Sequence, residues 1–320
     1  MPIAKGLSFT PRLSAVGALL CALMMSLLPL SAHAEWPEKP LNLWVGFSAG
    51  GGADTLSRLV AKRLKEELGQ PVVVRNLAGG GGVVMATTLK KVAADGYTFG
   101  LAPNSTFDAM PYVGDLDYKP TDFTYLTTVT QLQSGLVAKG DAPYSSWEEM
   151  VEYGHKHGLT FGATSPLTRK FVQRVARKED LDIKVVPMKG GLAMINGILG
   201  GYIDIGWSAG IHQSFLGDGK LKVIAGLNEE RLERSPNVPS ITELGYDSGY
   251  TGYFLFAAPE GMPEAIKEKL SAALRKACQS KEVAELAEKR MGFPNVVLKQ
   301  SRLQQFVLHN AETNKKNFNL

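Results

Sequence analysis

The amino-acid sequence predicts an α/β protein of two units in tandem, each a mainly parallel sheet flanked by helices. Three observations predict it. The chain has 320 residues, 44% hydrophobic and 21% charged, enough for two packed domains at roughly 100 to 200 residues each. Its first half alternates short apolar or β-branched runs with glycine clusters and helical periodicities. Its second half repeats that alternation. Such a composition excludes disorder, collagen-like repetition and a disulfide-rich miniprotein.

Residues 1–34 read as a secretory signal. Lys5 and Arg12 are their only charges, an apolar run from residue 15 to 30 follows, and Ala32, His33 and Ala34 form a small-x-small cleavage site. Cleavage after Ala34 leaves 33 Lys and Arg against 31 Asp and Glu, a nearly neutral chain without the basic excess expected of a nucleic-acid binder. Cys21 lies inside the apolar run and lacks the small residue that a lipoprotein site wants ahead of its cysteine. Cys278 then has no partner for a disulfide within the chain. No later stretch is apolar and long enough to span a bilayer.

Leu41, Leu43, Val45 and Phe47 alternate as a strand and run into a glycine cluster; Leu56, Leu59, Val60, Leu64 and Leu68 recur at helical spacing until Gly69, a C-cap. Residues 71–75 read as a second strand, 79–82 as a tight loop, 83–92 as a helix and 97–102 as a third strand. In the second unit, Ser146 and Glu149 suggest a capping box for a helix ending before Gly158. Strands follow at 160–163, 184–187 and 202–205, with helices between them, one ending at Leu199. A strand at 253–258, a helix from Pro263 to about Cys278 and a last helix over about 301–315 complete the chain. No low-complexity linker separates the units, so ordinary strands are expected to act as the hinge.

Two glycine-rich loops, 48–54 and 76–82, each join a strand end to a helix start. In a parallel sheet both lie on the carboxyl edge, where ligands bind. Glycine backbone N–H groups and helix N-termini together favour an anion, although tight turns alone would use the same residues. A nucleotide fits poorly. No Gly-Lys-Ser/Thr follows either loop, and Thr55 and Met85 stand where the last glycine of G-x-G-x-x-G belongs. A small carboxylate asks for less, and Ser48, Thr55, Asn76, Asn104, Ser105 and Thr106 supply neutral donors near these strand ends. The opposing wall is expected from the loop Thr164, Ser165, Pro166, Leu167, Thr168, Arg169. There Arg169 either forks onto a second carboxylate or is a solvated helix residue beside Lys170. The loops at 189–192 and 207–211 follow further strands, and Trp207 either stacks on a ligand ring or fills core.

Residues 37–51 (PEKPLNLWVGFSAGG), 69–82 (GQPVVVRNLAGGGG), 95–97 (DGY), 186–205 (VPMKGGLAMINGILGGYIDI), 235–245 (SPNVPSITELG) and 256–263 (FAAPEGMP) resemble the periplasmic substrate-binding receptors of tripartite tricarboxylate transporters, the Bug family. The resemblance spans essentially the whole mature chain. It implies a two-domain periplasmic-binding-protein clamshell of the type II kind, with residues 35–132 plus 251–320 as the first domain and 133–250 as the second. It also implies a monomer in the periplasm that delivers a small organic carboxylate to membrane permease subunits, without catalysis, cofactor or metal. Carried over by motif, the carboxylate grip falls on Ser48, Ala49, Gly50, Gly51 and Asp54 and on Asn76, Gly79, Gly80 and Gly81. The distal reader falls on Thr164, Ser165 and Thr168, with Lys189, Gly190 and Gly191 nearby. Phe47, Asn104, Ser105, Thr106, Arg169, Trp207 and Ser208 complete the expected site.

The chain departs from that family pattern in three places. Ala49 replaces a usual proline, Asn76-Leu77-Ala78-Gly79 replaces Asn-Arg-Pro-Gly and so lacks one positive charge, and Ser208 stands where an acidic residue is common. With Arg169, Ser208 favours a dicarboxylate or an aromatic acid. Two alternatives remain at this stage: a sensor feeding a signalling protein, and a secreted serine hydrolase. Residues 46–50 and 206–210 both fit G-x-S-x-G, and Asp247 and His309 follow Ser208 in the order of such enzymes. His155 and His157 flank Lys156 at a helix end and point apart, and His212 and His309 show no partners in the sequence, so no metal is expected.

Overall fold

A computed structural model describes residues 36–247 and 249–317. The expected signal segment, its cleavage after Ala34, and Cys21 lie outside the described residues. The described residues from Lys39 onward form one compact unit.

In the first run, β1 (Leu41–Val45) enters α1 (Gly52–Leu68), β2 (Val72–Asn76) enters α2 (Val83–Leu89), and β3 (Thr98–Pro103) enters the single turn α3 (Asn104–Asp108), before β4 (Phe123–Gln131). A second run holds β5 (Gly135–Lys139), α4 (Trp147–His157), β6 (Leu159–Ala163), α5 (Pro166–Lys178), β7 (Ile183–Pro187), α6 (Gly191–Leu199), β8 (Ile205–Ser208), α7 (Gln213–Leu216) and β9 (Leu221–Gly226). The chain closes with β10 (Tyr253–Pro259), α8 (Glu264–Cys278), α9 (Lys281–Glu285), a π-helical turn (Leu286–Met291) and α10 (Gln300–Asn317).

Two five-stranded sheets result, ordered β2-β1-β3-β10-β4 and β7-β6-β8-β5-β9. In each, four strands run parallel and the fourth in order, β10 or β5, runs against its neighbours. The antiparallel strand has a simple origin. It is the one that has just crossed over from the other sheet, so it enters from the opposite end. The two crossings lie side by side: Leu227 N–H donates to Ser134 O at 2.7 Å, Asn228 spans Ser134 N–H and Leu132 O at 3.0 and 2.8 Å, and Leu132 N–H donates to Gly252 O at 2.7 Å.

Local signals explain most of the elements. α1 buries Leu56, Val60 and Leu64 completely, each worth roughly 1.5–3 kcal/mol, and ends where left-handed Gly69 returns its N–H to Lys65 O. Ser146 caps α4 through Glu149 N–H, but the Glu149 carboxylate reaches Ser145 N–H and not Ser146 N–H, so only half of the expected capping box forms. The strand expected at 202–205 is a correction: it lies at Ile205–Ser208, and Tyr202 is 59% exposed in a turn. Asp204 explains the shift. Its carboxylate takes both the N–H and the hydroxyl of Thr160, at 2.7 and 2.6 Å, so the strand starts at Ile205, three residues later than expected. Gly206 then breaks the apolar alternation, because a Cβ there would meet Met194 Sδ of α6 at 2.2 Å. β4 escapes sequence reading because its core-facing threonines look polar; Thr127 and Thr128 donate to Leu298 O and Val296 O at 2.7 and 2.6 Å.

Candidate functional site

Between the two sheets lies a cleft of about 1030 Å³. On the first sheet, β1 and β2 pair in parallel with Val45 opposite Asn76, so both glycine loops leave at one level of one edge. They converge closely: a Cβ on Gly46 would stand 2.8 Å from Gly82 Cα. Phe47, Ser48, Ala49, Gly50, Gly51, Gly79 and Gly81 all line the cleft. Gly81 has φ +71°, and a Cβ there would stand 3.0 Å from Ser165 Cβ of the opposing wall, so glycine is what lets the two walls meet.

One buried carboxylate holds the two loops together. Asp54 accepts from Gly50 N–H, Asn76 Nδ2 and Arg58 Nε at 2.9, 2.9 and 3.0 Å. Asn76 also donates to Phe47 O at 2.9 Å and accepts from Arg58 Nη2 at 3.2 Å. Burial pushes the Asp54 pKa up, but the hydrogen bonds from Arg58, Gly50 and Asn76 outweigh it and hold the carboxyl below its usual range. Thr106 fixes the second loop from behind, donating to Gly81 O at 2.7 Å. Asp54, Asn76 and Thr106, all expected at the solute, therefore stand behind the lining, and Gly80 is also outside it.

The opposing wall is equally prearranged. Thr168 Oγ1 accepts from Thr164 N–H and Ser165 N–H at 3.0 Å each, while Ser165 Oγ accepts from Thr168 N–H at 3.2 Å. Thr164, Ser165, Thr168, Lys189, Gly190 and Gly191 all line the cleft. Arg169 does not: it stands exposed on α5, outside the lining. Trp207 fills core and also lines the cleft. It packs on Phe171 and Tyr250, with ring centroids at 5.2 and 4.6 Å, and keeps an edge in the cleft.

Ser208, next along the strand, faces the other way. It is buried outside the cleft lining, accepts from His212 N–H at 3.2 Å, and contacts His212 Nδ1 at 2.9 Å. Burial pushes His212 down to about 3, so its ring is neutral at any working pH. The other hydrolase partners are elsewhere: Asp247 pairs with Arg174 at 3.1 Å on the surface, and His309 is exposed on α10.

Several lining residues escape a sequence reading. Arg290 enters from the π-helical turn, Tyr250 and Thr251 from the crossing into β10, and Phe306, Asn310, Thr313 and Asn314 from α10. Phe306, Asn310, Thr313 and Asn314 are spaced i, i+4, i+7, i+8, one helical face, which was the available signal. Asn104 and Ser105 line the cleft as expected, yet the Asn104 side chain is already committed, donating to Asp108 Oδ2 at 2.8 Å and accepting from Tyr253 N–H at 2.7 Å.

Two α/β sheets facing a cleft whose walls carry backbone donors are the arrangement of a solute-binding receptor. A sequence profile described as the tripartite tricarboxylate transporter family receptor matches residues 56–318. A Cupriavidus necator protein described as "UPF0065 protein in gbd 5'region" is 30% identical over 268 residues, which cover 82% of each chain. The structure of periplasmic binding protein BugD is similar at TM-score 0.80 and 25% identity, over 89% of this chain and 98% of BugD. MatC from Rhodopseudomonas palustris, solved with bound malate, shares the fold at TM-score 0.78 and 24% identity, over 88% of this chain and 100% of MatC. The chain belongs to the tripartite tricarboxylate transporter receptor family, and it is a solute-binding protein and not an enzyme.

Proposed function

We propose that the mature protein, released by cleavage after Ala34, is a monomeric periplasmic receptor. It captures a small organic carboxylate between two domains, residues 35–132 plus 251–320 and residues 133–250, and delivers it to the membrane permease subunits of a tripartite tricarboxylate-type transporter. The observation that carries this reading is the convergence of two glycine loops, tied by Asp54, on one wall of the cleft. Their N–H groups and the start of α1 favour a carboxylate without a full counter-charge. The opposing wall adds contacts only when the domains meet, so closure is driven by the solute that touches both. Family membership supports delivery to a permease over a signalling role.

A dicarboxylate is favoured, on different residues from those read in the sequence. Arg169 is exposed outside the lining, but Lys189 and Arg290 both line the cleft. Neither has an ion-pair partner among the described residues, which leaves their charge to a second carboxylate. Titration calorimetry of the mature protein with succinate, glutarate and adipate, each beside its diamide, tests the reading. Binding of an acid with at least tenfold weaker binding of its diamide is expected. Binding of no acid, or diamides bound as well as acids, would refute it.

A further inference from the structure

We propose that Asp108 reads a protonated amine on the solute, so that the receptor takes an amino-substituted carboxylic acid in preference to the plain acid. This deepens the carboxylate reading and rests on it. Asp108 ends α3, lines the cleft, and is only 1% exposed. Among the described residues its side chain is held by amides: Asn104 Nδ2 at 2.8 Å and Asn310 Nδ2 at 3.4 Å both donate to Oδ2, and Asn314 Nδ2 fixes the residue's own backbone carbonyl at 3.0 Å. Among the described residues Oδ1 takes no hydrogen bond from another residue, and beyond those amides the carboxylate is bonded by its own backbone N–H.

No lysine, arginine or histidine pairs with Asp108 among the described residues, and the titratable groups that sense its charge are the uncharged phenols Tyr112 and Tyr125. A carboxylate out of water without a counter-ion is costly, and the cost is met by a proton or by a cation. The local fold does not ask for this group, since Asn104 is already fixed by Tyr253 N–H and the turn closes through Ala109 N–H to Ser105 O at 3.2 Å. The position suits a ligand. Ser105, beside the glycine loops, lines the cleft three residues before Asp108, about 5 Å along the helix axis. That separation spans a carboxylate and an amine on one short molecule. The face of α10 that carries Phe306 and Thr313 beside the two asparagines lines the same cleft.

Calorimetry with matched pairs tests the assignment: succinate against aspartate, glutarate against glutamate, propionate against alanine and β-alanine. In the unaltered protein at pH 7.5, as a ~7.5 working value above the ordinary carboxylate range, at least one amino acid should bind tenfold or more tightly than its plain counterpart. Asp108→Asn should weaken that amino acid at least tenfold and tighten the plain acid, because the repulsion is gone; a merely structural role would move both in the same direction. Plain acids bound as well as their amino counterparts, or equal losses for both in the variant, would overturn the proposal while leaving the carboxylate reading intact. Binding of none of these acids would overturn both.

Discussion

Replacing Asp108 with asparagine should stabilise the solute-free protein at neutral pH, and the size of the gain follows from the site. Burial raises the Asp108 carboxyl from 3.8 to about 6, opposed only in part by its hydrogen bonds from Asn104 and Asn310. A folded-state pKa above the unfolded value means that ionisation costs more in the native protein. The penalty is absent below pH ~3.8, grows between the two values, and is complete above pH ~6, where it amounts to about 3 kcal/mol. Asparagine keeps an acceptor for Asn104 Nδ2 and carries no charge. Urea unfolding of both proteins, refolded free of solute, should show the variant more stable by up to about 3 kcal/mol at pH ~8, with the difference vanishing near pH ~4. A variant less stable than the parent at pH ~8, or a difference that does not change with pH, would refute the reasoning.

Three other substitutions probe the site. Asp54→Ala strips the acceptor from Gly50 N–H, Asn76 and Arg58, and should cost about 1–3 kcal/mol of stability and at least tenfold in solute affinity by calorimetry. Gly81→Ala forces a Cβ into the left-handed backbone and against Ser165; solute affinity should fall sharply while stability drops by only about 1–2 kcal/mol, and the compaction on solute addition seen by X-ray scattering should disappear. Ser208→Ala should lower stability by about 1–3 kcal/mol, since it leaves His212 N–H and Nδ1 without their partner, yet change solute affinity less than twofold.

The strand, loop and helix grammar was legible wherever burial is one-sided. β1 and α1 carry clean periods of two and three to four, and two glycine clusters mark the same sheet edge. β4 was not legible, because threonines that bond to the 296–298 segment look like solvent-facing residues. β8 was read three residues early, because Gly206 conceals the strand under Met194 and Asp204 pins its start. Within the site, the sequence named the loops but not the division of labour inside them. Asp54, Asn76 and Thr106 have the chemistry of solute contacts and are spent on holding backbone; only Arg58, four residues after Asp54 on one helix, hinted at that. Asp108 and the face of α10 were missed because their nearness to the cleft depends on contacts across about 200 residues of chain.

A crystal structure of the mature protein with its solute bound tests the central claim most directly. It should place one carboxylate with its oxygens about 2.7–3.2 Å from backbone N–H groups of both glycine loops, reached from Gly50 on one side and Gly81 on the other. A solute whose acidic group lies away from these loops, or a ligand held there by an uncharged end, would contradict the account.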